Sequence, residues 1–396
     1  MRPVYLHGRS LISALGANLP QALSAISADV KAPLRVSLPG GTEWPYFAID
    51  NPDGHGNDAT PDIETRHARP LSPNSLPQAG ERGAVSLREY HVEASWSTRA
   101  QQLICAAIHE AGIESFRDAP LFVASSSFDI GEIENGQARL IDCCGFVEKI
   151  TAWLEWNGPV YLVSSACVSS LQAILAASKL ISTGSVKDAV VLGVELFNRF
   201  SISGFAAMQL LTPGKPKPFG LGRDGIALGE AVAALHLSSQ SARWRVCGGS
   251  NLVDGRDPTG AIPQTVTQMC KQALATSGLA ASDIDLIKLQ AAGSPANDVN
   301  ELTGLAAAFD PLPPLVTLKA AIGHTLGASG AAEIALLTAC LEANIWPHAD
   351  YQHDPSLCAG LARSKPESVR YILADILGFG GGHAAVILEN TCARSS

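Results

Sequence analysis

The chain has 396 residues, 46% of them hydrophobic and 16% charged, with a formal net charge of −9 and 36 glycines. That length can bury one large core or two fused ones, and the composition excludes a disordered or fibrous chain. The acidic balance argues against nucleic acid as a main partner.

The opening residues 3–6 read as a strand. Leu15-Gly16 leads into a helix over about 19–26. From about 50 to 89 the chain turns to Pro, Gly, Asn, Asp, Ser and Arg and loses hydrophobic periodicity, which reads as a long loop or insertion. Helical spacing resumes over 97–112, a buried strand is predicted at 120–124, and another helix over about 140–156. A strongly apolar strand at 188–194 and a strand-like run at 229–237 close a first half, residues 1–242. The second half, 243–396, repeats the theme: helix 265–277, strands 284–289 and 315–318, helix 327–343, then strands 369–374 and 384–388. Alternating helices and β-branched strands predict an α/β fold built from two pseudo-duplicated halves.

The nine cysteines are odd in number and show no zinc-ligand spacing; a reducing cytoplasm is their simplest setting. His7, Gly8 and Arg9 interrupt the early apolar residues, so no signal-peptide core is read, and no apolar run reaches membrane-spanning length.

Cys167 stands where the apolar run 158–163 meets a helical pattern carried by Leu171, Ile174, Leu175 and Ile181. The positive end of a helix stabilises a thiolate, so the position suits a nucleophile. It also suits a buried core cysteine, and the junction alone leaves both open.

Three other segments gather glycine and polar residues. Lys319-Ala320-Ala321-Ile322-Gly323-His324, followed by a small-residue run containing Glu333, presents a histidine on a turn, where it can donate to a thioester or enolate oxygen. Leu377-Gly378-Phe379-Gly380-Gly381-Gly382-His383 allows close backbone approach and free N–H donors, though a glycine-rich hairpin reads the same way. Pro218-Phe219 through Arg223-Asp224-Gly225 to Gly229-Glu230 is a buried ion-pair network or a loop.

Taken in order, these segments and the opening 4–16 resemble the β-ketoacyl synthase family over nearly the whole chain. These are the condensing enzymes of fatty acid and polyketide biosynthesis. The resemblance implies a thiolase-like fold with a layered αβαβα core. It places the nucleophile at Cys167, an oxyanion hole at the N–H groups of Cys167 and Phe379, a gate at the Phe379 side chain, the second histidine at His324, and support from Lys319 and Glu333. It implies no metal or organic cofactor, since the pantetheine arm arrives with acyl carrier protein.

One part of the pattern is missing. The family carries a first histidine in a His-Gly-Thr motif after the strand at 284–289, and here the chain reads Leu289-Gln290-Ala291-Ala292-Gly293-Ser294-Pro295. Ala292 is read as standing in its place, with the turn shortened by two residues. His383, where the family usually has asparagine, is a candidate to enter the site from another side. Ala320 replaces a usual serine.

Two functions follow. The chain is a chain-length-factor-like subunit that forms a heterodimer with an active ketosynthase, similar to the degenerate synthases of aryl-polyene pathways. Alternatively it is an autonomous β-ketoacyl-acyl-carrier-protein synthase, a homodimer that condenses acyl-Cys167 with malonyl carrier protein. Ala292 favours the first; the intact Cys167, His324 and glycine loop favour the second. A degradative thiolase is disfavoured by Arg223-Asp224.

Overall fold

The structure is a computed structural model that describes residues 2–28, 33–38, 41–50, 95–138 and 140–393. The loop or insertion expected at 50–89 lies, apart from Asp50, outside the described residues.

Among the described residues eleven strands form one sheet, with a continuous ladder across both halves of the chain. In the first half, strand Leu121–Ala124 lies parallel to both Val160–Val163 and Asp188–Glu195; Ala231–Ser238 and then Val4–Arg9 add antiparallel. In the second half, Leu286–Lys288 lies parallel to both Leu315–Val316 and Tyr371–Leu377; Gly382–Asn390 and then Trp244–Val253 add antiparallel. The two patterns are the same, strand for strand, and join where Val4–Arg9 pairs antiparallel with Trp244–Val253.

Side-chain alternation along the strands builds the layers. Ala189 and Val191 face one cluster while Val190, Leu192 and Val194 face another. Ala384, Val386 and Leu388 likewise alternate with Ala385 and Ile387. The inner faces of both half-sheets close on helices Ser169–Ser182 and Ser329–Ala343. Helices Trp96–Glu110 and Cys143–Trp153 cover one outer face, and Pro263–Ser277 and Pro295–Ala306 the other. This is the αβαβα layering expected.

The stretch Leu326–Ala343 is long and apolar enough to cross a membrane, and 89% of it is buried inside the fold. A helix in the middle layer meets protein on every side, so it is apolar all round. Its apolar length is an exception to the reading that no run reaches that size.

Several bounds shift. The strand read at 315–318 ends at Val316, and Lys319–Ile322 is a single helical turn. A small sheet of Leu34–Ser37, Glu43–Phe47 and Leu228–Gly229 was not anticipated, nor was helix Arg199–Ala207, capped by Asn198.

Candidate active site

Strand Val160–Val163 delivers the chain to the elbow at Ala166, whose φ of +48° is the left-handed region that a side chain tolerates poorly. The turn is held by Ser169, whose hydroxyl donates to the Ala166 carbonyl at 2.6 Å and accepts the Ser165 N–H at 2.8 Å. Helix Ser169–Ser182 starts just beyond, so Cys167 precedes its first turn, and the thiol is buried.

Burial pushes the Cys167 thiol up to about 11, against the pull of the Phe379 N–H and the Lys319 ammonium; buried Glu195 pushes in the same direction as burial. The free protein therefore holds a thiol at neutral pH. Desolvation of the anion outweighs the donors around it.

Phe379 reaches Cys167 from the other half. Strand Tyr371–Leu377 ends in the glycine loop, and the Phe379 ring stacks on Phe205 with centroids 5.2 Å apart. Gly381 fixes this loop: its φ is +76°, and a Cβ there would lie 1.6 Å from the Asp254 carbonyl oxygen.

His324 is zipped onto the small sheet. Its N–H donates to the Ala227 carbonyl at 2.8 Å, and its carbonyl accepts the Gly229 N–H at 3.0 Å. The preceding Gly323 has φ +71° and no room for a Cβ beside Phe47 and the Leu228 carbonyl. The Leu326 N–H donates to His324 Nδ1 at 3.0 Å, so the ring proton sits on Nε2. Burial, then Lys319 and Lys288, hold the ring well below the usual histidine range, so it is neutral. A neutral imidazole with its proton on Nε2 is a hydrogen-bond donor.

Lys319 and Glu333 form a buried ion pair, and Glu333 Oε2 also accepts from Lys288 Nζ at 2.6 Å. Lys288 donates again to the Asp375 carbonyl at 2.6 Å. Beside them lie the buried carboxyls of Glu301 and Asp375, both raised, Asp375 to about 6, with burial the main cause. Both accept the Gln290 N–H, at 2.7 and 2.9 Å. Glu301 is the glutamate that the family carries after its first-histidine motif, present here as the resemblance implies; Lys288 and Asp375 were not anticipated. A lysine inside the apolar strand at 284–289 was the available signal, because a buried ammonium needs a carboxylate.

The group facing His324 is Gln290, the first polar side chain beyond strand Leu286–Lys288. Its amide lies 3.2 Å from His324 Nε2. Since Nε2 carries hydrogen, the amide turns its oxygen to the ring; the opposite orientation would set two donors face to face. Ala292, expected at this position, carries no polar side-chain atom and packs among Leu211, Ile226 and Leu326. Reading the turn without the two-residue shortening moves the expected position from 292 back to 290.

His383 is buried on strand Gly382–Asn390. Among the described residues neither ring nitrogen has a partner in hydrogen-bond geometry, and burial lowers its pKa despite Asp254 and the Gly382 carbonyl. Cys167, Gln290, His324, Phe379 and His383 all line one cavity of about 40 Å³, room for a water or two. Lys319 and Glu333 stand behind it.

The Arg223-Asp224 segment is an ion-pair network. Arg223 bonds Asp354 at 2.5 Å and lies 3.8 Å from Asp298, whose carboxylate takes the Phe219 N–H at 2.9 Å. Glu230, fully buried, bonds Arg99 at 2.6 Å and accepts the N–H groups of Ile49 and Phe197. Among the described residues no cluster of His, Cys, Asp and Glu is placed to hold a metal ion.

The chain is 31% identical over 250 residues to 3-oxoacyl-[acyl-carrier-protein] synthase 2 of Mycobacterium tuberculosis, covering 56% of this chain and 59% of that protein. It is 28% identical over 279 residues to the highly reducing polyketide synthase alnA of Emericella nidulans, of which it spans 11%. Among solved structures, that of the ketosynthase ApeO in complex with its chain length factor ApeC from Xenorhabdus doucetiae matches 98% of both chains, with a TM-score of 0.77 and 22% identity. The family model of the β-ketoacyl synthase N-terminal domain matches residues 144–243, which carry the elbow, and that of the C-terminal domain matches 248–350, which carry Gln290 and His324. With both halves matched around one shared site, the chain belongs to the β-ketoacyl synthase family.

Proposed function

We propose that the chain accepts an acyl group on Cys167 but does not itself condense it, and that it works as a chain-length-factor-like partner of a complete ketosynthase. The observation that carries this is Gln290: an amide, not a second imidazole, faces His324.

Acyl transfer needs what the site retains. Cys167 Sγ attacks the thioester carbonyl carbon of an acyl carrier protein. The new S–C bond forms, the carrier's C–S bond breaks, and the cysteine proton goes to the departing thiolate. The N–H groups of Cys167 and Phe379 hold the oxyanion meanwhile. The raised thiol is suited to a proton that leaves during attack rather than before it.

Condensation asks for more. Malonyl carrier protein loses carbon dioxide, and the electron pair of the broken C–C bond moves onto the thioester oxygen. In the family two imidazoles meet that charge. One positioned donor is worth ~10²–10³ in rate, so the amide at 290 leaves condensation slow.

The outer edge of the sheet supports a partner. Among the described residues Val160–Val163 pairs on one side only, with Leu121–Ala124. Tyr161 on that edge is 45% exposed, and Leu140 and Phe200 are 79% and 68% exposed. An open strand edge and exposed large apolar side chains mark a surface awaiting another chain. The autonomous-synthase reading keeps its support from Cys167, His324, Lys319, Glu333 and Phe379.

Co-expression with a synthase that has one cysteine and two histidines, followed by native mass spectrometry, tests the pairing. A one-to-one heterodimer in preference to homodimers is expected. A stable homodimer that ignores the synthase would overturn it.

A further inference from the structure

We infer that Gln290 is a positioning residue that disarms His324: its side-chain oxygen takes the one N–H the imidazole can offer to a malonyl thioester. This deepens the reading above and rests on its assignment of the site.

The geometry leaves His324 little choice. Nδ1 already accepts from the Leu326 N–H at 3.0 Å, and Ser329 Oγ lies 3.4 Å from the same nitrogen. Only Nε2–H can point at substrate, and Gln290 stands 3.2 Å from it. Protonation would supply a second donor, but burial and two lysines keep the ring neutral.

The main chain of Gln290 is fixed where it delivers the amide to the ring. Its backbone N–H is shared by Glu301 and Asp375, at 2.7 and 2.9 Å, and the residue is buried. A preorganised acceptor on a lone donor competes with the thioester oxygen on every encounter. Histidine at 290 would remove the amide oxygen from Nε2–H and bring a second imidazole, able to donate, to the site.

The experiment measures decarboxylation of malonyl carrier protein, as carbon dioxide released, by the full chain and two variants. This readout does not pass through Cys167, so failure of acyl transfer in the parent protein counts against the functional reading alone. Gln290→His is expected to raise the rate by about 10²-fold, the scale of one positioned donor. Gln290→Ala, which removes the acceptor without adding an imidazole, is expected to raise it about tenfold and to lower KM for the malonyl thioester. It serves as the deciding variant if Gln290→His does not fold. In ¹⁵N-histidine spectra the His324 Nε2–H proton should move upfield in Gln290→Ala as its acceptor is lost. Folded variants with unaltered rates and an unmoved His324 signal would overturn the inference.

Discussion

The Lys288 ammonium lies 2.6 Å from Glu333 Oε2, and both side chains are within 1% of full burial. Lys319 occupies the other carboxylate oxygen, so one anion serves two buried cations. Removing that anion strands both.

Glu333→Gln should therefore destabilise the chain by about 3–5 kcal/mol, the usual penalty for an uncompensated buried charge. Adding Lys288→Met should recover part of the loss by leaving one cation fewer to compensate. Urea unfolding of the three proteins checks this. A Glu333→Gln variant as stable as its parent would show that the cluster carries no net charge to balance.

The glycine loop supplies the next test. Gly380 and Gly381 both have φ near +77°, but only Gly381 has no space for a Cβ, with the Asp254 carbonyl oxygen 1.6 Å from where it would sit. Gly381→Ala must move the loop, and the Phe379 N–H moves with it. Acylation of Cys167 should fall about 10²-fold or more. Gly380→Ala carries only local backbone strain of about 1–3 kcal/mol and should acylate much faster than Gly381→Ala. Rates from intact-protein mass spectra decide it.

His324 gives a pH dependence with a definite sign. Its folded pKa is well below the ordinary value of 6.5. Below that pH the unfolded histidine binds a proton that the folded one refuses, so its contribution to stability is lost as pH falls, at about 1.4 kcal/mol per pH unit. Asp298 and Asp375, raised to about 6, act in the opposite direction as they protonate in the folded state. The test is thus a difference: between pH 6.5 and 5 the parent should lose more stability than His324→Asn. Equal losses would mean that the ring is not held neutral.

The sequence made much of this legible, and for physical reasons. Buried strands and the helices beside them carry periodic apolar residues, so the two halves could be read directly. Cys167, His324 and Phe379 sit at element ends next to small residues, where a change of period marks a turn. Pro45 obscured the small sheet, because proline demotes a strand pattern. The thiol's raised pKa depends on burial by residues from both halves, which no local pattern reports. The 290 position was misplaced because a two-residue shortening was assumed in the turn. The hydrogen bond between Gln290 and His324 joins residues 34 apart in sequence, and only the folded chain displays it.

The central claim is that Cys167 takes an acyl group that the chain cannot extend alone. Intact-protein mass spectrometry addresses it most directly, using acyl carrier protein thioesters with and without malonyl carrier protein. The account predicts an acyl adduct that disappears in Cys167→Ala, and no elongated product until a complete ketosynthase is added. An elongated product from this chain by itself would contradict it.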